Sequence, residues 1–397
     1  MRKKVLFVIN TMGRGGAEVA LLALLNRPEL AEHDLSLYVM LGQGELIARL
    51  PENVRLLNRS YNSADVLSAG GKRALYAGIA KRTLSRGALV RCLPYLASNG
   101  LRMLRSGGLR ADKLLWRPLA EGTPPPEEEY DLAVAYLEGG ATYYVSRAVR
   151  AKRKVAFVHV DYRLAGYTPR LDRGCYDSFD RIFCVSDEVR TAFLSIYPEH
   201  AAKTGVFHNL IDRQRILAMA EEEGGFPDAY DGPRILTVGR LVPQKAIELS
   251  VAAMGLLRDR GVKARWYVLG EGEDRPALER QIAGLGLEKD FLLPGVTDNP
   301  YPCFRQADLY VHCSRFEGRS IAIQEAQTLG KCVIVSDCSG NREQVTHGVD
   351  GLLTELSPEA IADAIELALT DEVLRTRLGR AAAQKRFDTE SIEMLFQ

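Results

Sequence analysis

Short apolar runs alternate with amphipathic stretches of helix length along most of the chain, the pattern of βαβ units built on parallel sheets. KVLFVI, DLSLYVML, YDLAVAY, KVAFVHV and RIFCVS predict strands in the first half. RILTVG, ARWYVLG, DFLLPG, ADLYVHC and KCVIVSD predict strands in the second. Between the two series, residues 220–233 read AEEEGGFPDAYDGP, acidic with glycine and proline, which predicts a linker. The expected fold is α/β: two doubly wound, Rossmann-like domains, residues 1–219 and 234–375, facing across a cleft. Residues 376–397 carry a helical pattern and are expected to pack back toward the first domain.

Composition narrows the class. The 397 residues are 46% hydrophobic and 26% charged, which suits a soluble protein of two domains. No run of about 18 apolar residues occurs, so no spanning helix is expected. The opening MRKKVLFVIN runs into TMGRGG too soon for a secretory leader. Cys92, Cys175, Cys184, Cys303, Cys313, Cys332 and Cys338 form no C-x-x-C pair. They read as reduced core residues of a cytoplasmic protein, not as disulfides or zinc ligands.

Charge changes the picture locally. The net charge of +1 names no partner, yet residues 66–120 hold eleven bases against Asp112 alone. These are Lys72, Arg73, Lys81, Arg82, Arg86, Arg91, Arg102, Arg105, Arg110, Lys113 and Arg117, so the segment carries +10 and the rest of the chain −9. Leu75, Ile79, Leu89, Leu93 and Leu96 fall at helical spacing among them. Gly87, Pro94, Gly100 and Gly107–Gly108 would divide the segment into short helices. Three readings stand: a solvated insertion, a nucleic-acid surface without a recognised motif, or a surface for anionic lipid. On lipid, each base near the headgroups contributes about 1 kcal/mol. The lipid reading is preferred, with no nucleic-acid partner, and sets the protein on the inner face of the cell membrane.

Candidate chemistry lies at strand ends, where doubly wound sheets bind ligands. INTMGRGGAE sets Gly13, Gly15 and Gly16 between strand and helix, either as a tight turn or as backbone amides open to a phosphate. It is not the G-x-G-x-x-G of dinucleotide enzymes, because Glu18 takes the third position. TVGRLVPQK sets Arg240 and Lys245 between strand and helix, as a solvated helix start or as two cations for a diphosphate. A nucleotide-sugar leaves a nucleoside diphosphate, whose developing charge needs stabilising. The chain has no D-x-D pair, H-E-x-x-H or phosphate loop, so two fixed cations are expected in place of a metal.

SRFEGRSIAIQEAQTLG, residues 314–330, spaces Glu317 and Glu325 with seven residues between. Gly318 admits close backbone approach, and the amides of Arg319, Ser320 and Ile321 would be the free donors of a helix start. Glu325 would lie about 9 Å further along the axis. It either faces solvent or, flanked by Ile321, Ile323 and Ala326, holds one end of an elongated ligand whose other end meets Glu317.

Taken in order, GRGGAE, VSDEVRTAF, FHNLID, VGRLVPQK, VLGEGEDRPALE, LLPGV, ADLYVHCSRFEG, the paired glutamates and GNREQVTHGVDGLL carry a resemblance over nearly the whole chain. The chain resembles the retaining GT-B-fold glycosyltransferases of the family-four type, marked by E-x7-E (glycosyl transferases group 1). The resemblance implies that Arg240 and Lys245 neutralise the donor diphosphate. It implies Glu317 near the donor sugar, Glu325 on the ribose, and Gly318, Arg319, Ser320 and Ile321 around the phosphates. Gly270 and Glu271 would lie beside the nucleotide and Val296 near the base, with Gly15 and Gly16 also on the donor side. His159 resembles the first-domain histidine that approaches the sugar, completing a catalytic set with Glu317, Arg240 and Lys245. Asp161 would orient His159 or bind the acceptor. The chain departs from the family pattern at Ala246, where glycine is usual, and at Arg319 and Gln324, where apolar residues are commoner.

The implied reaction is retaining, metal-independent hexosyl transfer from a nucleotide-sugar, best read as UDP-linked, with no cofactor. The implied acceptor is a hydroxyl of a lipid-linked glycan or glycolipid in bacterial surface polysaccharide synthesis. A soluble sugar acceptor and a non-catalytic nucleotide-sugar-binding scaffold are the alternatives.

Overall fold

The computed structural model describes residues 2–66, 69–105, 110–387 and 392–397. They form two compact units, Met1–Leu210 with Thr389–Gln397, and Ile211–Asp388. The first is built on a seven-stranded parallel sheet in the order β3-β2-β1-β4-β5-β6-β7. Its strands are β1 Lys4–Ile9, β2 Asp34–Val39, β3 Val54–Leu56, β4 Tyr130–Ala135, β5 Ala151–Val158, β6 Arg181–Cys184 and β7 Thr204–Val206. The second carries six parallel strands in the order β10-β9-β8-β11-β12-β13. These are β8 Arg234–Val238, β9 Arg265–Leu269, β10 Phe291–Gly295, β11 Leu309–His312, β12 Cys332–Ser336 and β13 Leu352–Thr354.

Helices cover both faces of a parallel sheet, which is why runs such as Val5–Ile9 are wholly apolar and wholly buried. The strand order reverses between β1 and β4 in the first unit and between β8 and β11 in the second. Loops leaving the carboxyl ends of such neighbours diverge to opposite faces, and the gap they leave is the ligand crevice of a doubly wound sheet. Each unit has one such switch point.

The unit boundaries differ from the sequence reading. Helix Arg213–Ala220 belongs to the second unit, with Ile216 and Ala220 buried and the Met219 carbonyl accepting from Asn299 Nδ2 at 2.7 Å. The expected linker is packed, because it carries groups that gain by burial. The Phe226 ring lies 4.2 Å from Tyr267, and Asp228 pairs with Arg265 at 2.9 Å while accepting from the Tyr267 hydroxyl. At the other end, helix Glu372–Ala383 stays with the second unit through buried Leu378, Gly379 and Ala382. A Cβ on Gly379 would stand 2.3 Å from the Gly330 carbonyl, so only glycine allows that approach. The last turn alone returns to the first unit. Ile392 and Leu395 enter its core, worth about 1.5–3 kcal/mol each, and Phe396 meets His33 edge-on at 4.7 Å.

The basic segment forms helices Ala69–Leu84, Ala88–Arg91, Leu93–Arg105 and Ala111–Gly122. Gly87, at φ +66°, divides the first two. Pro94 starts a helix, where its missing N–H costs nothing, and Gly100 is carried inside that helix. Gly107 and Gly108 lie outside the described residues. The segment is not simply solvated: Tyr95, Leu114, Arg117 and Leu119 are buried, and Trp116 packs on the core. Its outer face shows Leu84, Val90, Leu93, Leu101 and Leu104 to solvent. All seven cysteines are buried and unpaired.

Candidate active site

β8 and β11 are neighbours, so the loops that leave them share one end of the sheet. The loop after β8 carries Gly239, Arg240 and Lys245 into helix Ile247–Asp259. The loop after β9 presses against it: a Cβ on Gly270 would stand 1.8 Å from the Gly239 carbonyl. Glycine is therefore required at 270 by contact rather than by torsion. Ala246 turns the chain from Lys245 into the helix at φ +48°, a left-handed conformation that costs a non-glycine residue about 1–2 kcal/mol.

β11 ends at His312, and its loop leads to helix Ile321–Thr328. Glu317 is buried in that loop, and its Oε1 collects three donors. Lys245 Nζ and Ser314 Oγ lie at 2.5 Å and His312 Nε2 at 3.0 Å. The Tyr310 hydroxyl stands 3.0 Å from His312 Nδ1. The consistent assignment has Tyr310 donating to Nδ1 and Nε2–H donating to Glu317. Burial alone would raise the Glu317 pKa, but the Lys245 charge and the His312 hydrogen bond outweigh it and hold the carboxyl well below its usual range. Burial and the Lys245 charge push His312 down, so its ring is neutral. The cluster is one anion and one cation joined through neutral donors.

Glu325 sits in the opposite state. It is buried on helix Ile321–Thr328, its Oε1 accepts from the Tyr301 hydroxyl at 2.8 Å, and burial pushes its pKa up to about 7. Of the three amides expected to be free, that of Ser320 is taken. It donates to Gln344 Oε1 at 2.7 Å, and Gln344 Nε2 returns a bond to the Ser320 carbonyl at 2.8 Å. The buried Gln344 amide needs partners, and the helix start supplies them. Gly318 lies against Gly340, where a Cβ would stand 2.3 Å from the Gly318 carbonyl.

The other second-unit residues are spread around this centre. Arg240 shares the Lys245 loop with an exposed side chain, and Arg319 and Ile321 flank Ser320. The Glu271 carboxylate is held by Arg275 through bonds of 2.9 and 2.8 Å, while its carbonyl accepts from the Leu241 amide at 2.9 Å. Val296 is exposed just beyond β10. Gln324 is fully buried with neither amide atom hydrogen-bonded.

In the first unit, His159 follows β5. Its amide donates to Glu138 Oε2 at 3.1 Å, and its ring lies 5.1 Å from Tyr136. Neither ring nitrogen makes a well-formed hydrogen bond, and burial, opposed weakly by Asn209, pushes its pKa down to about 3. Asp161 accepts three bonds from Arg163, from its amide and Nε at 3.0 Å and from Nη2 at 2.5 Å, and is not bonded to the histidine among the described residues. Gly15 caps helix Gly16–Leu25, and Glu18 accepts from Thr11 Oγ1 at 3.1 Å. The Glu18 carboxylate thus sits at the positive end of that helix.

Residues 222–385 match the family described as Glycosyl transferases group 1. The second unit belongs to that family. Over 157 residues the chain is 31% identical to the alpha-D-kanosaminyltransferase of Streptomyces kanamyceticus, covering 38% of this chain and 40% of the relative. Over 160 residues it is 28% identical to the N,N'-diacetylbacillosaminyl-diphospho-undecaprenol alpha-1,3-N-acetylgalactosaminyltransferase of Campylobacter jejuni, covering 38% of this chain and 39% of the relative. The chain thus spans well under half the length of either relative. HepE of Anabaena, solved in complex with UDP-glucose, matches 98% of the chain and 96% of its own with a TM-score of 0.69 at 19% identity. That likeness gives the fold as GT-B.

Sequence reading of this group 1 domain missed His312, Ser314, Tyr310, Tyr301 and Gln344. His312 falls inside the predicted strand ADLYVHC, and the signal that marks it is its place at the strand's carboxyl end, five residues before Glu317. Tyr301 and Gln344 are distant in sequence from Glu325 and Ser320, so no local pattern marks them. Glu138 was missed for the same reason.

Proposed function

We propose that this group 1 glycosyltransferase moves a hexosyl group from a UDP-sugar to a hydroxyl of a lipid-linked glycan or glycolipid, with retention and without a metal. The observation that carries the reading is the buried Lys245–Glu317–His312 cluster at the second switch point. Glu317 is ionised and fixed, so it accepts hydrogen bonds from sugar hydroxyls without reorganising. Lys245, with Arg240 in the same loop, supplies positive charge for the departing diphosphate. The glycosidic C–O bond breaks with its electron pair going to the phosphate oxygen. The acceptor oxygen bonds to the same face of the sugar, and its proton passes to that phosphate oxygen. Glu325, with a pKa near 7, takes a ribose hydroxyl as either donor or acceptor.

The HepE complex with UDP-glucose supports a uridine donor, and the Campylobacter relative, named for a diphospho-undecaprenol acceptor, supports a lipid-linked one. The outer face of helix Leu93–Arg105 supports a membrane-side acceptor. Leu101 and Leu104 stand exposed beside exposed Arg102 and Arg105, an apolar and cationic mixture suited to anionic headgroups. One assay tests the donor, metal and acceptor parts of the reading. UDP-sugars are offered in the presence of a chelator, with a lipid-linked acceptor in anionic vesicles or a short soluble analogue. Transfer to both acceptors is expected. Arg102→Glu with Arg105→Glu should cut the vesicle rate at least tenfold and spare the soluble one. Activity that needs added magnesium overturns the metal-independent part, and equal rates for the variant on vesicles overturn the membrane part.

A further inference from the structure

Part of the basic segment, with Arg147 and Arg150, lines a feature of the first unit away from the exposed face of helix Leu93–Arg105. It is a cavity of about 510 Å³, within the range of small-molecule sites. Arg86, Arg91, Arg117, Arg147 and Arg150 line it, with Glu121 as the one carboxylate in its wall among the described residues. Pro125 and Pro126 precede β4, and Ala148 and Arg150 precede β5, so the cavity sits at the amino ends of those strands. Gly15, Gly16, Glu138 and His159 lie at the carboxyl ends. The cavity therefore occupies the end of the sheet opposite the first switch point.

Its walls hold the guanidinium groups in place. Arg117 is buried, donates through Nη1 to the Asp172 carbonyl at 3.1 Å, and lies over the rings of Tyr95 and Tyr143. Arg91 donates to the carbonyls of Arg86, at 2.5 Å, and Glu121, at 3.2 Å. Arg150 donates to the Glu127 carbonyl at 2.9 Å. Arg147 pairs with Glu121. Arg86 holds a left-handed backbone at φ +50°. Backbone carbonyls fix the direction of these groups but carry no net charge, and Glu121 in the wall with buried Asp172 behind Arg117 leaves the five arginines in excess. Burial and the like charges of Arg117, Arg91 and Arg173 accordingly push the Arg147 pKa down.

We propose that this cavity binds a phosphate or diphosphate group. Planar guanidinium forks match phosphate oxygens two at a time, and five arginines lining one cavity suit a compact polyanion. The group can belong to a lipid headgroup or to a soluble phosphate, and both present the same oxygens.

The test compares the whole parent chain with a variant carrying Arg86→Gln and Arg147→Gln. Neither residue belongs to the donor cluster, which both proteins keep. Melting is followed without ligand and in inorganic phosphate or pyrophosphate, against sodium chloride at matched ionic strength. The parent should melt several degrees higher in pyrophosphate than in the salt control. The variant should melt no lower than the parent without ligand, because two crowded like charges are gone, and should lose at least two thirds of the pyrophosphate shift. That crossing of stabilities is not produced by a merely structural arginine. Flotation on vesicles containing phosphatidic acid then assigns the source. Binding that pyrophosphate displaces and the variant lacks supports a headgroup, and flotation equal for both proteins, alongside the lost shift, supports a soluble phosphate. Equal pyrophosphate shifts in parent and variant overturn the proposal.

Discussion

The two switch points share a strand order and differ in electrostatics. At the second, between β8 and β11, Glu317 is ionised because Lys245, His312 and Ser314 compensate it. At the first, between β1 and β4, burial pushes the Glu138 carboxyl up and the His159 ring down, so the charged form of each is disfavoured. The same local strand order thus provides one crevice with a compensated charge and another whose burial disfavours charge. The difference lies in the donors around each carboxylate. A lysine reaches into the second crevice, and no cation is bonded to Glu138 among the described residues.

The largest expected effect breaks that comparison at its strong side. Lys245→Ala leaves Glu317 buried without its cation and should cost about 3–5 kcal/mol in urea unfolding, with transfer reduced at least a thousandfold. His159→Phe keeps a ring against Tyr136 and removes two nitrogens that lack well-formed hydrogen bonds, so stability should stay within about 1 kcal/mol of the parent. Comparable losses in the two variants would mean that the first crevice is also held by charge.

A pH series sharpens the contrast inside the second crevice. The folded pKa of Glu325, about 7, exceeds its ordinary value of 4.5. Its contribution to stability is therefore full below about pH 4.5 and is lost as pH rises through 7. Glu325→Gln removes that dependence. Relative to the parent, the variant should gain about 3 kcal/mol between pH 4.5 and pH 8, read from urea midpoints. Because Glu317 and His312 titrate in both proteins, the difference isolates Glu325. A flat difference would show that Glu325 is ionised in place.

The smallest effect concerns the turn that delivers Lys245. Ala246→Gly relieves a left-handed alanine and should raise stability by about 0.5–1 kcal/mol, since glycine's greater freedom when unfolded offsets part of the gain. A loss would mean that packing of the buried Ala246 methyl outweighs the torsional strain.

Much of this architecture is legible from residue order. The ten longer strands announce themselves because a strand covered on both faces must be apolar throughout, as KVLFVI and KCVIVSD are. The edge strands β3, β7 and β13 have three residues each and carry no periodicity to read. The 220–233 stretch looks like a tether by composition, yet Phe226 and Asp228 tie it to Tyr267 and Arg265. Acidic, glycine-rich sequence says how a segment behaves in water, not what a neighbouring surface offers it.

The sequence by itself determined the parallel α/β class and the places where chemistry gathers. Period-two and period-3.6 patterns are local, and so is the spacing from Gly239 to Lys245 or from Glu317 to Glu325. Only the tertiary structure decided the protonation of those groups and their partners. Glu317 and Glu325 stand eight positions apart, yet one is held ionised by Lys245, 72 positions away, and the other is raised by burial beside Tyr301, 24 positions away. A pKa depends on desolvation and on charges within a few ångströms, and those are set by which loops the sheet brings to one end.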